Sequence, residues 1–121
     1  MNRRRTGAAH EKQAADYLTA EGMKILAANF RSRQGEIDLI GEHEGYLVFV
    51  EVKYRSSSRT GYALEAVDRR KQLRICRVAD YYRYLHGVGE DRAVRYDVVG
   101  IQGGEIRWIR NAFPHISGKY F

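Results

Sequence analysis

The chain has 121 residues and a mass of 14.0 kDa, 44% of it hydrophobic by residue, with one proline and one cysteine. That length makes one ordinary domain. No apolar run approaches the ~20 residues of a membrane span, and the lone Cys76 excludes an internal disulfide or a cysteine-based zinc site and points to a reducing compartment. Net charge is +6; residues 53–83 hold nine basic against three acidic side chains, while the other ninety residues hold twelve of each.

Sixteen of the 21 basic residues are arginine, whose planar fork suits phosphate. A basic stripe beside a neutral remainder is the footprint of a polyanion partner, with a solvated face as the competing explanation. Arg3-Arg4-Arg5 is followed by polar, alanine-rich sequence rather than an export core, so the expectation is a cytoplasmic, globular protein. One domain spans 1–121, with a basic arm at 1–6 and a tail at 110–121.

In chain order, residues 8–21 read as a helix, with Glu11, Ala14, Ala15 and Leu18 at helical spacing and Gly22 as its cap. Met23–Phe30 reads as a strand. In Glu36–Ile40, the apolar Ile37 and Leu39 alternate with Glu36 and Asp38. Tyr46–Tyr54 is apolar almost without a break, which places it at the centre of a sheet. A polar loop over 56–61 leads to a second helix from the N-cap Asp68 to Leu85, closed by Gly87. Its buried stripe is Ile75, Val78, Ala79, Tyr82 and Leu85, which leaves Arg70, Arg74, Arg77 and Tyr84 to project elsewhere. Ala93–Ile101 and Glu105–Ile109 complete the order α-β-β-β-α-β-β, a mixed sheet in which the third and fourth strands can run parallel.

Asp38, Glu51 and Lys53 carry the chemistry. Charges in a central strand are costly to bury without partners. Glu51 and Lys53, two apart, share a face. With a Glu44-Gly45 loop, paired positions sum to 89, which sets Asp38 opposite Glu51 and Glu36 opposite Lys53. An odd-length loop would put Asp38 and Glu51 on opposite faces. Two adjacent carboxylates either take up a proton or hold a cation. With a backbone carbonyl and waters they would make an open Mg²⁺ site, beside which Lys53 could orient or deprotonate a water. Glu11, on the Ala14/Leu18 side of its helix, tends toward the same site. The competing arrangement pairs Glu36 with Lys53 and leaves Glu51 to other cations.

Gly35-Glu36-Ile37-Asp38-Leu39-Ile40 and Phe49-Val50-Glu51-Val52-Lys53-Tyr54-Arg55 resemble the YraN family of bacterial proteins, in the restriction-endonuclease-like PD-(D/E)XK superfamily. The likeness extends to Glu11 with Ala14-Ala15, Asn29-Phe30-Arg31, Ala66-Val67-Asp68 with Lys71, Arg95–Val99 and Asn111-Ala112-Phe113. It implies a mixed β-sheet flanked by helices and a metal-dependent phosphodiesterase site. Asp38 and Glu51 would ligate Mg²⁺ or Mn²⁺, the Val52 carbonyl would add an oxygen, Lys53 would be the catalytic lysine, and Glu11 the acidic residue of the first helix. Ile37 replaces the superfamily's proline. His10 stands where the family often has glycine, as a neighbour that could crowd Glu11, ligate or carry a proton.

The expected activity is endonucleolytic hydrolysis of nucleic acid, most naturally DNA, with Arg55, Arg59, Arg70, Lys71, Gln72 and Arg74 toward the backbone. Duplex cutting would call for a homodimer. The rivals are an inactive nucleic-acid-binding module and a protein-binding adaptor. Asp97, alternating with Arg95 on the fourth strand, could reach the metal, with a salt-bridge role the favoured expectation; Cys76 packs; His43, His86 and His115 lack ligand spacing and read as surface residues. Among Tyr81, Tyr82 and Tyr84, at least Tyr82 belongs to the core, and the apolar Tyr120-Phe121 is a docking tail.

Overall fold

The computed structural model describes residues 3–55 and 67–117, with side chains from residue 7 onward in the first helix. The order is α1 (Arg3–Ala20), β1 (Lys24–Ser32), β2 (Gly35–His43), β3 (Tyr46–Arg55), α2 (Arg69–Leu85), β4 (Val94–Gln102) and β5 (Glu105–Phe113). The strands form one sheet in the order β1-β2-β3-β4-β5, antiparallel except for the parallel pair β3–β4 that α2 connects. This is the mixed, helix-flanked architecture of the restriction-endonuclease-like class. No described helix is long and apolar enough to cross a membrane.

The continuous apolar run of β3 has the physical consequence expected of it. With β2 on one side and β4 on the other, Leu47–Glu51 are buried. Phe49 packs on the α2 face with Ile40, Ile75, Val78, Ala79, Tyr82, Tyr96 and Phe113. Val48 and Val50 pack on the α1 face with Ala14, Leu18, Met23, Leu39, Val99 and Ile101. Each such side chain contributes about 1.5–3 kcal/mol by leaving water. The helices therefore clamp the sheet from opposite sides, and both reach the same end of β2 and β3.

The β2–β3 turn decides the register. Glu44 and Gly45 both take positive φ, 52° and 86°, the two-residue hairpin geometry that suits strand twist. Pairs run from His43↔Tyr46 to Leu39↔Val50. All five sum to 89, as the loop demands, but the pairing stops there: the expected pairs Asp38–Glu51 and Glu36–Lys53 do not form, because β2 leaves β3 before Asp38.

Several expectations change. Helix α1 begins at Arg3, inside the stretch read as an arm, and β5 continues to Phe113, through part of the stretch read as a tail. Tyr120-Phe121 lie outside the described residues. Ile37 packs into the α2-side cluster and Leu39 into the α1-side cluster, so their alternation breaks at Asp38. The physical reason is local: the β2–β3 pairs end at Leu39↔Val50, and Asn29, which falls opposite Asp38 in the β1–β2 register, takes a left-handed φ of 54°. Leu85 is half exposed rather than buried, because the helix ends there at the His86 cap. Arg77 does not face solvent: it donates to the Ile116 carbonyl and pairs with Asp80 at 3.4 Å, tying the segment after β5 to α2. Two histidines read as surface residues are also engaged. His43 is buried against Arg95, and Nδ1 of His115 lies 2.6 Å from the Tyr96 hydroxyl.

Candidate active site

Asp38 sits where β2 leaves its pairing with β3, and its side chain takes over from the lost backbone ladder. The Val52 amide donates to Asp38 Oδ2 at 2.7 Å. On the α1 side, Glu11 hydrogen-bonds to Asp38 and to the Asn29 side chain. From the start of β2, Glu36 joins them, and carboxylate oxygens of Glu11, Glu36 and Asp38 lie within 4.8 Å of one another. Glu51 approaches from β3, where it is buried and meets Lys71 Nζ of α2 at 2.5 Å.

The electrostatics follow from this crowding. Burial raises Asp38 most, the Glu51 charge next, with Glu11 and Glu36 adding, and the Val52 hydrogen bond is the opposing influence; the carboxyl is pushed up to about 8. A neutral Asp38 can donate its proton to Glu11. Glu11 itself is raised, chiefly by burial. Lys53 is lowered, first by burial and then by the neighbouring Lys71 ammonium. Carboxylates shifted upward beside a lysine shifted downward are the pattern expected of a site built for proton transfer or cation binding.

Two clefts flank the carboxylates and share Glu36 as their common wall. One, of about 300 Å³, is lined by Glu36, Asp38, Glu51, Lys71 and Arg74 among others. The other, of about 380 Å³, is bounded by Gly7, Ala8, Glu11, Asn29, Arg31 and Glu36. A larger cavity of about 590 Å³ lies at the far end of the sheet, near Glu42 and Arg92, away from these groups.

The structure thus brings Glu11, Asp38, Glu51 and Lys53 to one end of the sheet. It adds Glu36, which the spacing had set only against Lys53; Glu36 pairs loosely with Arg31 at 3.9 Å and turns its oxygens to the cluster. The signal was available, since Glu36 and Asp38 are two apart on a strand. Asn29 was missed as a partner of Glu11 because its left-handed backbone leaves no trace in periodicity. His10 neither crowds Glu11 nor joins the carboxylates; its ring lies on Tyr54.

Among the residues expected at the backbone, Arg70 and Arg74 are exposed on α2, and Lys71 is 40% exposed at its side chain while engaged with Glu51. Arg55 is exposed at the end of β3, its guanidinium turned back to the Tyr54 carbonyl. Gln72 Nε2 donates to the Val67 carbonyl at 2.8 Å, a connection at the helix entry rather than toward substrate. Asp68 accepts from the Lys71 amide at 2.8 Å, so the cap takes up one of the donors a phosphate would use. Arg59 lies outside the described residues.

With this geometry in hand, relationships to known proteins become informative. Residues 10–101 match the model of uncharacterised protein family UPF0102. The chain belongs to this family. A UPF0102 protein of Lachnoclostridium phytofermentans is 46% identical over 113 residues, covering 93% of this chain and 96% of the relative. One of Symbiobacterium thermophilum is 47% identical over 115 residues, with 91% and 97% covered. One of Fusobacterium nucleatum is 40% identical over 111 residues, covering 92% of each. The UPF0102 match takes in every carboxylate of the cluster, Lys53 and all of α2.

Proposed function

We propose that this UPF0102 protein is a cytoplasmic, metal-dependent endonuclease that hydrolyses phosphodiester bonds of DNA. The observation that carries the reading is the setting of Asp38, a mostly buried carboxyl acted on by three other carboxylates and a single amide. Such a group favours a proton or a cation, and the hard oxygen donors of Glu11, Glu36 and Asp38, with Glu51 adjoining, suit Mg²⁺ or Mn²⁺. The ion bound there would supply an activated water and stabilise charge on phosphate.

The chain's own residues do the rest. Asp38, held by the Val52 amide, fixes where oxygen ligands point, and the Val52 carbonyl is a further candidate donor. Glu11 anchors the α1 side through Asn29. Lys53, with its affinity for a proton lowered by burial and by the Lys71 ammonium, is suited to orient a water beside the carboxylates. Lys71 and Arg74 line the cleft, and Arg55 and Arg70 are exposed at the ends of the two elements that lead to it; together they would hold the backbone against a site that otherwise repels it. One site cuts one strand, so cleaving both strands of a duplex calls for a second copy.

A second reading, an inactive nucleic-acid-binding module, draws support from the Lys71–Glu51 pair, which neutralises one of the carboxylates from within the chain. Plasmid, four-way junction, single-stranded DNA and RNA, each incubated with Mg²⁺, Mn²⁺ or EDTA, separate the two. The expected outcome is metal-dependent cutting lost in Asp38→Asn and Lys53→Ala. Binding without cutting on every substrate favours the module, and no binding at all leaves the protein-binding adaptor.

A further inference from the structure

His10, the residue before Glu11 on α1, lays its ring on that of Tyr54, the residue after Lys53 on β3. The centroids are 3.6 Å apart and the planes 19° from parallel. Tyr54 remains 42% exposed. The stack therefore lies on the α1 face of the sheet, the face of Glu11's helix, at the end of β3 that also carries Glu51 and Lys53, whose side chains point to the α2 face. Along β3, Tyr54 lies two residues beyond Val52, whose amide holds Asp38, a separation of about 7 Å. In the sheet, β2 with Asp38 lies between β1 and β3, so the stack stands on one flank of the carboxylates while Asn29 and Arg31 stand on the other.

We propose that the exposed part of the Tyr54–His10 stack is a subsite for one unpaired nucleobase of a DNA strand, next to the phosphate that the basic side chains flanking the carboxylates would hold. This rests on the nucleic-acid reading above and narrows it. A ring already clamped flat by another ring has given up rotamer freedom, so a base stacking on it loses little further entropy. Every base offers a π face, and aromatic stacking is tolerant of sequence. Bases inside a continuous duplex are covered by their neighbours, so only an unpaired nucleotide can use the platform. Arg55, the next residue, adds positive charge beside it. The substrate class is DNA that is single-stranded where it is cut.

The test reads binding in EDTA, apart from cleavage. A twelve-nucleotide single strand carrying 2-aminopurine is titrated with the full-length protein and compared with the same strand in a duplex. The expected result is quenched 2-aminopurine fluorescence and tighter binding of the single strand. Tyr54→Leu should weaken single-strand binding about tenfold and abolish the quench, leaving duplex affinity unchanged. Tyr54→Phe should retain both, and His10→Ala should lose part of each; thermal melts check that every variant is folded. Unchanged single-strand binding and quench in folded Tyr54→Leu overturns the subsite, as does an equal loss on both probes. A wild-type protein that binds neither probe overturns the nucleic-acid reading and the subsite with it.

Discussion

Asp38 and Asp97 occupy corresponding places in the two halves of the sheet. Each lies on the strand next to an outer strand, β2 beside β1 and β4 beside β5, and each faces an asparagine with φ 54°, Asn29 or Asn111. Their surroundings are opposite. Asp97, with no side-chain exposure, accepts from Arg95 Nε and Nη2 at 2.9 and 2.8 Å, from Trp108 Nε1 at 2.8 Å and from the Asn111 amide at 2.9 Å. Arg95 also reaches His43 Nδ1 at 3.0 Å. Every lone pair of Asp97 has a use within the fold, and a paired guanidinium balances its charge. Asp38 has one amide and a ring of carboxylates. A similar backbone device thus makes a structural joint in one half and an electrostatically strained site in the other. The difference lies in which side chains the rest of the fold delivers.

The largest expected effect breaks the joint. Asp97→Asn leaves Arg95 buried without its counter-charge, and should cost about 3–5 kcal/mol in denaturant unfolding. A wild-type midpoint would end the contrast between the two aspartates. The next prediction concerns metal. Mn²⁺ at one hundred times its dissociation constant should stabilise the wild type by about 2.7 kcal/mol in thermal melts, and Asp38→Asn should lose most of that gain.

Third, without metal, Asp38→Asn should stabilise the protein by about 2 kcal/mol at pH 8–9. The sign follows from linkage. Asp38 titrates near 8 in the fold against 3.8 ordinarily, so the folded state binds more protons between those values and wild-type stability falls as pH rises through that window. The asparagine keeps the Val52 hydrogen bond and removes that decline, which melts at pH 5 and pH 8.5 would detect. The smallest effect belongs to the basic helix: Arg74→Met should lower the log–log salt slope of duplex binding by about 0.9, while melting stays unchanged.

Much of this was legible because it is local. Glu44-Gly45 between two apolar runs sets the hairpin register by turn geometry, and the 89 sum holds over every observed β2–β3 pair. Asp68 caps α2, and β3 lies at the sheet centre, for reasons that propensity and apolar patterning contain. The misreadings fall where a partner arrives from far along the chain. Arg77 looked solvent-facing by helical spacing until the segment after β5 brought the Ile116 carbonyl to it. His43 looked superficial until Arg95, 52 residues later, packed against it. Ile37 and Leu39 broke their alternation because Asn29 on a neighbouring strand disturbed the pairing around Asp38.

The sequence by itself determined the order of elements, the hairpin register from His43↔Tyr46 to Leu39↔Val50 and the placing of Glu51 and Lys53 on one strand, since strand period and turn chemistry act over a few residues. Only the tertiary structure decided which charges meet. It brought Glu11 from α1 to Glu36 and Asp38 of β2, and gave Glu51 to Lys71 of α2. Those choices depend on how two helices pack against opposite faces of one sheet. An ion pair or shared hydrogen bond needs its partners within about 4 Å in space, a distance that position along the chain does not give.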